Sequence, residues 1–135
     1  VLGDESETEL SQALPTNDNV LNLIGQTDID HLPAILEGAS LHIGHDSGLM
    51  HIAGCVSTPT ITVWGGSDPE LFGWQKIDRS KHRVLQKKLS CHPCNRWISP
   101  NTSKVELPSM CPDFECLQQI SARMLLDVIY ESINA

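Results

Sequence analysis

The sequence predicts an α/β fold with a parallel sheet flanked by helices. Short apolar runs rich in β-branched residues alternate with segments of helical periodicity. The connections between them are short and carry Gly, Pro, Asp or Ser. Strands that alternate with helices in this way form parallel sheets, because each helix returns the chain to the same edge.

The first predicted unit begins at the N-terminus. Residues 1–3 have the composition of the end of a buried strand. Ser6 and Glu9 have the spacing of a capping box, which predicts that a helix starts there. That helix must end near Leu14, because the residue before Pro15 is disfavoured in the helical conformation.

The next strand is predicted over residues 20–24, and a helix over residues 29–37. Thr27 or Asp28 is a suitable N-cap residue for this helix. Pro33 lacks a backbone donor, so we expect it near the first helical turn. The apolar residues of this helix are predicted to share one inward face: Ile29, Leu32, Ile35 and Leu36.

The stretch over residues 41–64 shows the alternation most clearly. It reads as a strand over 41–44, a turn over 45–48, a helix over 49–56 and a strand over 60–64. Cys55 on this helix is predicted to be a core residue.

Beyond this stretch, Ser67 or Asp68 is predicted to cap a helix with Pro69 at its first position. Trp74 is predicted to pack beneath its loop; the alternative is that it lines a ligand cleft. A last strand is expected over 83–86, and a closing amphipathic helix over 121–133 with Leu125, Val128, Ile129 and Ile133 facing inward.

The turn at Asp46, Ser47 and Gly48 is the best candidate for a ligand site. It joins a strand to a helix, and the first backbone N–H groups of a helix are free to bind an anion such as phosphate. Ser47 adds a hydroxyl donor, and Gly48 permits close approach. Asp46 suits sugar hydroxyls better than phosphate. The alternative is that Asp46 or Ser47 only caps the helix.

Polar or glycine residues follow several predicted strands, and ligands of parallel sheets bind at the carboxyl ends of the strands. One ligand site is therefore predicted from the following residues: Glu7, Gln26, Thr27, Asp46, Ser47, Gly48 and Ser67.

Composition limits the classes of function. The chain has 135 residues, which fits a single domain over 1–135, and a net charge of −8. This charge argues against a nucleic-acid partner. No apolar run has transmembrane length, and no signal peptide is visible. The chain starts without Met and within a predicted strand, so we expect it to be a piece of a larger protein.

Four cysteines lie in two close pairs: Cys91, Cys94, Cys111 and Cys116. Two alternatives are open, a structural zinc site and thiols that are reduced or variably paired. The spacing of the second pair is wider than in a zinc ribbon, which favours thiols.

The motif G-H-D-S-G-L-M-H-I-A over 44–53, followed by T-P-T over 58–60 and G-G-S-D-P over 65–69, resembles the C-terminal domain of glycosyltransferase family 9, the heptosyltransferase family. The resemblance covers nearly the whole chain. It departs from the family at Gly66, where a Pro is usual. It implies a GT-B enzyme with two Rossmann-like domains, of which this chain is the C-terminal donor-binding half.

The resemblance also implies an activity. The enzyme would transfer a sugar from a nucleotide-diphosphate donor of the ADP-heptose kind to a saccharide or lipid-linked saccharide acceptor, in lipopolysaccharide or other surface glycan synthesis. The general base would lie on the N-terminal domain, so no catalytic residue is expected here. No cofactor or metal is implied. The implied location is the cytoplasm, with a peripheral position at the inner membrane.

Individual roles follow from the same resemblance. Glu7 would contact the donor ribose, and Gln26 and Thr27 the base. Leu49 and His51 belong to the D-S-G-L-M-H motif. For Glu7 and His51 a purely structural role is an equal alternative, and so is an ordinary capped turn for Gln26 and Thr27.

Two other functions are open. The chain could be a non-catalytic nucleotide-binding or interaction module with the same fold. It could also be related to the sugar-nucleotide epimerases that share the GT-B architecture, although the motif fits family 9 better.

Overall fold

The computed structural model describes residues 1–94 and 114–134. It divides into two compact units, Val1–Ile35 and Leu36–Ala135. The prediction of one domain over 1–135 stays a prediction.

The second unit contains a three-stranded parallel sheet in the order β1-β2-β3. The strands are β1 (His42–His45), β2 (Thr60–Trp64) and β3 (His82–Gln86). His42 of β1 lies opposite Thr60 of β2, which in turn lies opposite His82 of β3. A parallel sheet with helices in its connections confirms the predicted α/β, Rossmann-like class, consistent with a GT-B glycosyltransferase domain.

Short helices connect and flank the strands. They are α1 (Leu32–Glu37), α2 (Gly48–Cys55), α3 (Pro69–Phe72), α4 (Glu115–Gln118) and α5 (Ala122–Ile133). A 3-10 turn over Trp74–Lys76 leads from α3 towards β3. Asp68 caps α3 by accepting a hydrogen bond from the Glu70 N–H, and Pro69 follows it, as predicted.

The core of this unit lies between α2 and β2. Met50 and Ala53 of α2 are buried, as are Ile61 and Trp64 of β2. Gly54 lies directly against the indole of Trp74, where a Cβ would collide with the ring. Trp74 therefore packs against α2, which confirms its predicted packing role.

The N-terminal segment differs from the prediction. Its helix is a 3-10 helix over Glu5–Ala13, and the capping box is formed by Asp4 and Glu7 rather than Ser6 and Glu9. Asp4 comes two residues earlier, and its carboxylate accepts from the Ser6 N–H. The predicted strands over 1–3 and 20–24 are not regular strands, although backbone hydrogen bonds join them.

The helix predicted over 29–37 is divided into a 3-10 turn over Ile29–His31 and α1. Pro33 is the second residue of α1, in its first turn, as expected. Asp28 is the residue before the 3-10 turn, but its side chain forms no capping hydrogen bond among the described residues. Leu36 is buried, whereas Ile29 is 73% exposed, so the inward face predicted for Ile29 was wrong.

The closing helix α5 begins where predicted, with Ser121 as its N-cap accepting from the Met124 N–H at 3.3 Å. Leu125, Val128 and Ile129 of its predicted inner face are half-buried, whereas Ile133 is 64% exposed, so the inward position predicted for Ile133 was wrong. Cys55 is also exposed, because it is the last residue of α2 and projects away from the core.

Within residues 1–94 and 114–134, no helix combines the length and apolarity needed to cross a membrane.

Candidate functional site

A cleft of about 510 Å³ lies at the carboxyl ends of β1 and β2, beside the start of α2. Five of the residues predicted from the sequence line it: Asp46, Ser47, Gly48, His51 and Ser67. The parallel pairing of β1 with β2 brings them together, because it places the turn after each strand at the same sheet edge.

The N-terminus of α2 opens into this cleft. Ser47 is the N-cap residue, yet its hydroxyl makes no capping hydrogen bond to the described residues. A capping role for this hydroxyl, considered above as an alternative, was therefore wrong. The first N–H groups of any helix have no partner within it and carry the positive end of the helix dipole. The turn thus offers several donors for an anion.

Gly48 leaves the backbone at this helix start accessible. A Cβ built at Gly48 would lie more than 4 Å from any other described atom outside its immediate neighbours. Packing within the chain therefore does not require a glycine at position 48. The glycine leaves the space in front of the α2 backbone open, so a ligand could approach it.

Asp46 joins the two turns that form the cleft. Ser67 Oγ donates a hydrogen bond to Asp46 Oδ2 at 2.5 Å, and Ser67 is only 4% exposed. The other carboxylate oxygen, Oδ1, lies 3.9 Å from His51 Nε2. This second separation is within ion-pair range but too long for a hydrogen bond. Since an ionised carboxylate has about four acceptor positions, Asp46 keeps capacity for a ligand hydroxyl.

The loop after β2 is held by two residues from later in the chain. Gln86, the last residue of β3, donates from Nε2 to the carbonyls of Gly65 at 2.9 Å and Ser67 at 3.3 Å. The Cys94 N–H donates to the Gly66 carbonyl at 2.8 Å, and the Cys94 thiol lies against the Gly66 Cα. These contacts fix the position from which Ser67 reaches Asp46.

Three predicted site residues belong to the first unit. Glu7 accepts the Asp4 N–H at 3.0 Å, and Gln26 donates to the Asn22 carbonyl at 3.2 Å. Thr27 is half-buried. The turn at Gly25 lies against Glu5, so within this unit the two predicted binding turns are neighbours. Their contacts to the donor stay a prediction.

Leu49 lies in the first turn of α2, half-buried, and does not line the cleft. Its side chain has no place in the cleft, although its backbone N–H belongs to the helix start. The binding roles of all these residues stay predictions.

The zinc alternative for the four cysteines stays a prediction. Cys91 is exposed, Cys94 is half-buried and Cys116 is buried, while Cys111 lies outside the described residues. Among the residues that the structure describes, no cluster of three or more His, Cys, Asp or Glu side chains could hold a metal ion.

Two buried histidines lie at the amino ends of β1 and β3, at the other end of the strands from the cleft. Burial lowers the pKa of His42 below its ordinary value. Burial also lowers the pKa of His82, with Lys81 adding to the effect; Asp78 partly opposes it. The predicted packing role of His42 is confirmed by its 9% exposure.

The sequence reading did not assign five residues that line the cleft: His45, Val63, Gly65, Gly66 and Leu117. It also missed Gln86. Gln86 ends a predicted strand, so the rule that used the carboxyl ends of strands could have found it. Leu117 lies far along the chain, and no local pattern marks it.

Comparison with known proteins identifies the family. The family model for glycosyltransferase family 9 (heptosyltransferase) matches residues 2–104. Lipooligosaccharide heptosyltransferase 2 of Haemophilus influenzae is 34% identical over 64 residues, which are 46% of this chain and 18% of that protein. Lipopolysaccharide heptosyltransferase 1 of Escherichia coli O18:K1:H7 is 25% identical over 109 residues, 78% of this chain and 33% of that protein.

Lipopolysaccharide heptosyltransferase 2 of Escherichia coli K12 is 31% identical over 68 residues, 49% of this chain and 20% of that protein. The chain thus spans a third or less of the length of these curated relatives. No solved structure gives a significant match. The match over most of its length, together with the cleft at residues 46–48, means that this chain belongs to glycosyltransferase family 9, the heptosyltransferase family.

Proposed function

We propose that this chain binds the diphosphate of a nucleotide-diphosphate sugar and forms the donor half of a glycosyltransferase that acts in lipopolysaccharide or other surface glycan synthesis. The observation that carries the proposal is the open helix start at Gly48, which faces a cleft at the carboxyl edge of a parallel sheet. Curated relatives named as lipopolysaccharide heptosyltransferases support this activity. We propose that the donor is ADP-heptose-like.

The diphosphate is assigned to the N-terminus of α2. Backbone N–H groups at a helix start and the helix dipole both favour an anion. The hydroxyl of Ser47 is at the same position and is not used for capping. Asp46 repels phosphate, so the hydroxyls of the transferred sugar are assigned to its remaining acceptor positions.

The same arrangement favours departure of the leaving group. In sugar transfer the acceptor oxygen bonds to the anomeric carbon, while the bond from that carbon to the phosphate oxygen breaks. The nucleoside diphosphate leaves with additional negative charge on the phosphate. Preorganised donors aimed at that charge stabilise the transition state. The base that takes the acceptor proton is assigned to an N-terminal domain, and the reaction to the cytoplasm.

The test measures binding of ADP, UDP and GDP by calorimetry or ligand-observed NMR. The expected result is weak binding of at least one nucleotide by the chain, without sugar transfer, because positioning both substrates supplies much of the rate. Gly48→Val should abolish this binding, because the branched side chain fills the space in front of the helix start. Cys55→Val is the matched control, since it adds the same side chain at the opposite, exposed end of α2.

Absence of nucleotide binding by the folded chain would contradict the proposal. Equal affinity in Gly48→Val and Cys55→Val would place the diphosphate elsewhere. Sugar transfer by this chain alone would overturn the assignment of the base to another domain.

A further inference from the structure

Two cysteines follow the last strand of the sheet closely. Cys91 and Cys94 lie in the sequence C-H-P-C over 91–94, five residues after the end of β3. A Cys-x-x-Cys sequence next to a βαβ unit is typical of thiols that are reversibly oxidised to a disulfide. Both thiols are free in the structure, and neither lines the donor cleft.

The chain folds back on itself at this motif. The His92 N–H donates to the Leu89 carbonyl at 3.0 Å, which closes a turn, and the chain bends again at Pro93. A bent chain brings the Cα atoms of residues three positions apart within about 7 Å, the range that a disulfide spans. Cys91 is exposed and Cys94 is half-buried, so a small molecule in solution reaches the Cys91 sulfur first.

Cys94 also contacts the loop after β2. Its N–H donates to the Gly66 carbonyl at 2.8 Å, and a Cβ at position 66 would collide with its sulfur. Gly66 precedes Ser67, whose hydroxyl donates to the Asp46 carboxylate in the donor cleft. The Cys94 sulfur therefore packs against the loop that positions Ser67, and the absence of a side chain at Gly66 makes room for it.

We propose that Cys91 and Cys94 form a reversible disulfide, and that its formation releases the loop that carries Ser67. The two sulfurs are not bonded in the structure: the Cys94 sulfur faces Gly66, whereas Cys91 is exposed to solvent. A disulfide brings the sulfurs to about 2.05 Å, so the Cys94 sulfur turns from Gly66 towards Cys91. The disulfide itself is independent of the proposed function, whereas its effect on nucleotide binding rests on that function.

The oxidant is a small-molecule disulfide, such as oxidised glutathione. The Cys91 thiolate attacks one of its sulfurs, and the sulfur–sulfur bond breaks and releases one small thiolate. The Cys94 thiolate then attacks the Cys91 sulfur of this mixed disulfide and displaces the second small thiolate. The protons of the two cysteines end on the two released thiols. The cysteines thus lose two electrons, and the oxidant gains them.

The experiment equilibrates the whole chain with oxidised or reduced glutathione. Trypsin cleaves after Lys88 and Arg96, so both cysteines lie in one peptide, residues 89–96. Mass spectrometry should show that this peptide loses two hydrogen atoms on oxidation and regains them on reduction. In the disulfide form, hydrogen exchange should become faster over 65–67. The affinity for the nucleotide among ADP, UDP and GDP that the chain binds should decrease about fivefold, as for the loss of one neutral hydrogen bond.

Cys91→Ser tests the pairing. This variant cannot form the disulfide and keeps the contact of Cys94 with Gly66. Oxidised glutathione should therefore change neither its peptide mass nor its hydrogen exchange nor its nucleotide affinity. Cys55→Ser is the matched control, since Cys55 is also exposed but lies on α2, outside the motif. It should respond to oxidation like the parent protein.

Several results would overturn the inference. They are a lasting glutathione adduct on the peptide, a disulfide that joins this peptide to Cys111, and stoichiometric zinc in the purified protein that blocks oxidation. A disulfide between Cys91 and Cys94 with unchanged hydrogen exchange over 65–67 would overturn the effect on the loop. If the disulfide forms and exchange changes but no nucleotide binds in either form, the inference stands and the proposed function fails.

Discussion

The hydrogen bond from Ser67 to Asp46 should stabilise the chain as well as shape the cleft. Ser67→Ala removes a donor that lies 2.5 Å from a carboxylate oxygen. Hydrogen bonds to charged groups contribute about 1.5–3 kcal/mol. The Asp46 side chain is 22% exposed, and water can replace part of the interaction, so we expect about 1.5 kcal/mol, the lower end of that range.

Urea or thermal denaturation followed by circular dichroism measures this loss. For a chain of this size about 1.5 kcal/mol corresponds to a decrease in Tm of about 5 °C. The pair is isolated by a double-mutant cycle of Ser67→Ala and Asp46→Ala, in which the coupling energy should be about 1–2 kcal/mol. Asp46→Asn keeps an acceptor for Ser67 but loses its charge, so its loss should be smaller than that of Asp46→Ala.

Thr58→Ala serves as a reference for the cycle. Its hydroxyl donates to a neutral acceptor, the Leu36 carbonyl, at 2.6 Å in a buried position. It should show no coupling to Asp46. If the losses in Ser67→Ala and Asp46→Ala simply add, the contact carries no stability and the reasoning is refuted.

Three other results are expected. In the full enzyme, Asp46→Ala should weaken binding of the nucleotide sugar about tenfold more than binding of the bare nucleoside diphosphate; equal losses in calorimetry would contradict the assignment of Asp46 to hydroxyls. Burial lowers the pKa of His42 in the folded chain. As the pH falls, this imidazole is therefore protonated first in the unfolded chain, and the free energy of unfolding should decrease below pH about 6.5. His42→Leu should flatten this decrease in urea denaturation, and parallel curves would exclude His42 as its source. Gly54→Ala should lower stability by about 1–3 kcal/mol and change Trp fluorescence, because the added methyl group meets the Trp74 ring; an unchanged Tm would mean that the ring moves freely.

The sequence predicted the second unit better than the first. The strands over 60–64 and 83–86 and the start of α5 agree with the structure within a residue or two. These segments have strong apolar periodicity and distinct capping residues. In the first unit, Asp4 and Ser6 are both competent caps, so sequence alone could not choose between the two capping boxes.

The cleft was predictable where it follows local rules. Asp46, Ser47, Gly48 and Ser67 come directly after strands, and parallel pairing brings such positions together. The bond between Ser67 and Asp46 could not be predicted, because it depends on the position of the loop that Gln86 holds. The exposure of Cys55 was missed since the apolar face of a short helix is poorly defined.

The parallel register also has a kinetic consequence. Each strand pairing joins residues roughly 20 positions apart, a separation typical of mixed α/β domains that fold at intermediate rates. The segments closed into loops by these two pairings include the residues of the turn at 46–48 and the loop at 65–67. Pairing β1 with β2 brings Asp46 and Ser67 to the same sheet edge, and pairing β2 with β3 brings Gln86 to the loop that carries Ser67. The cleft therefore forms as the whole sheet forms.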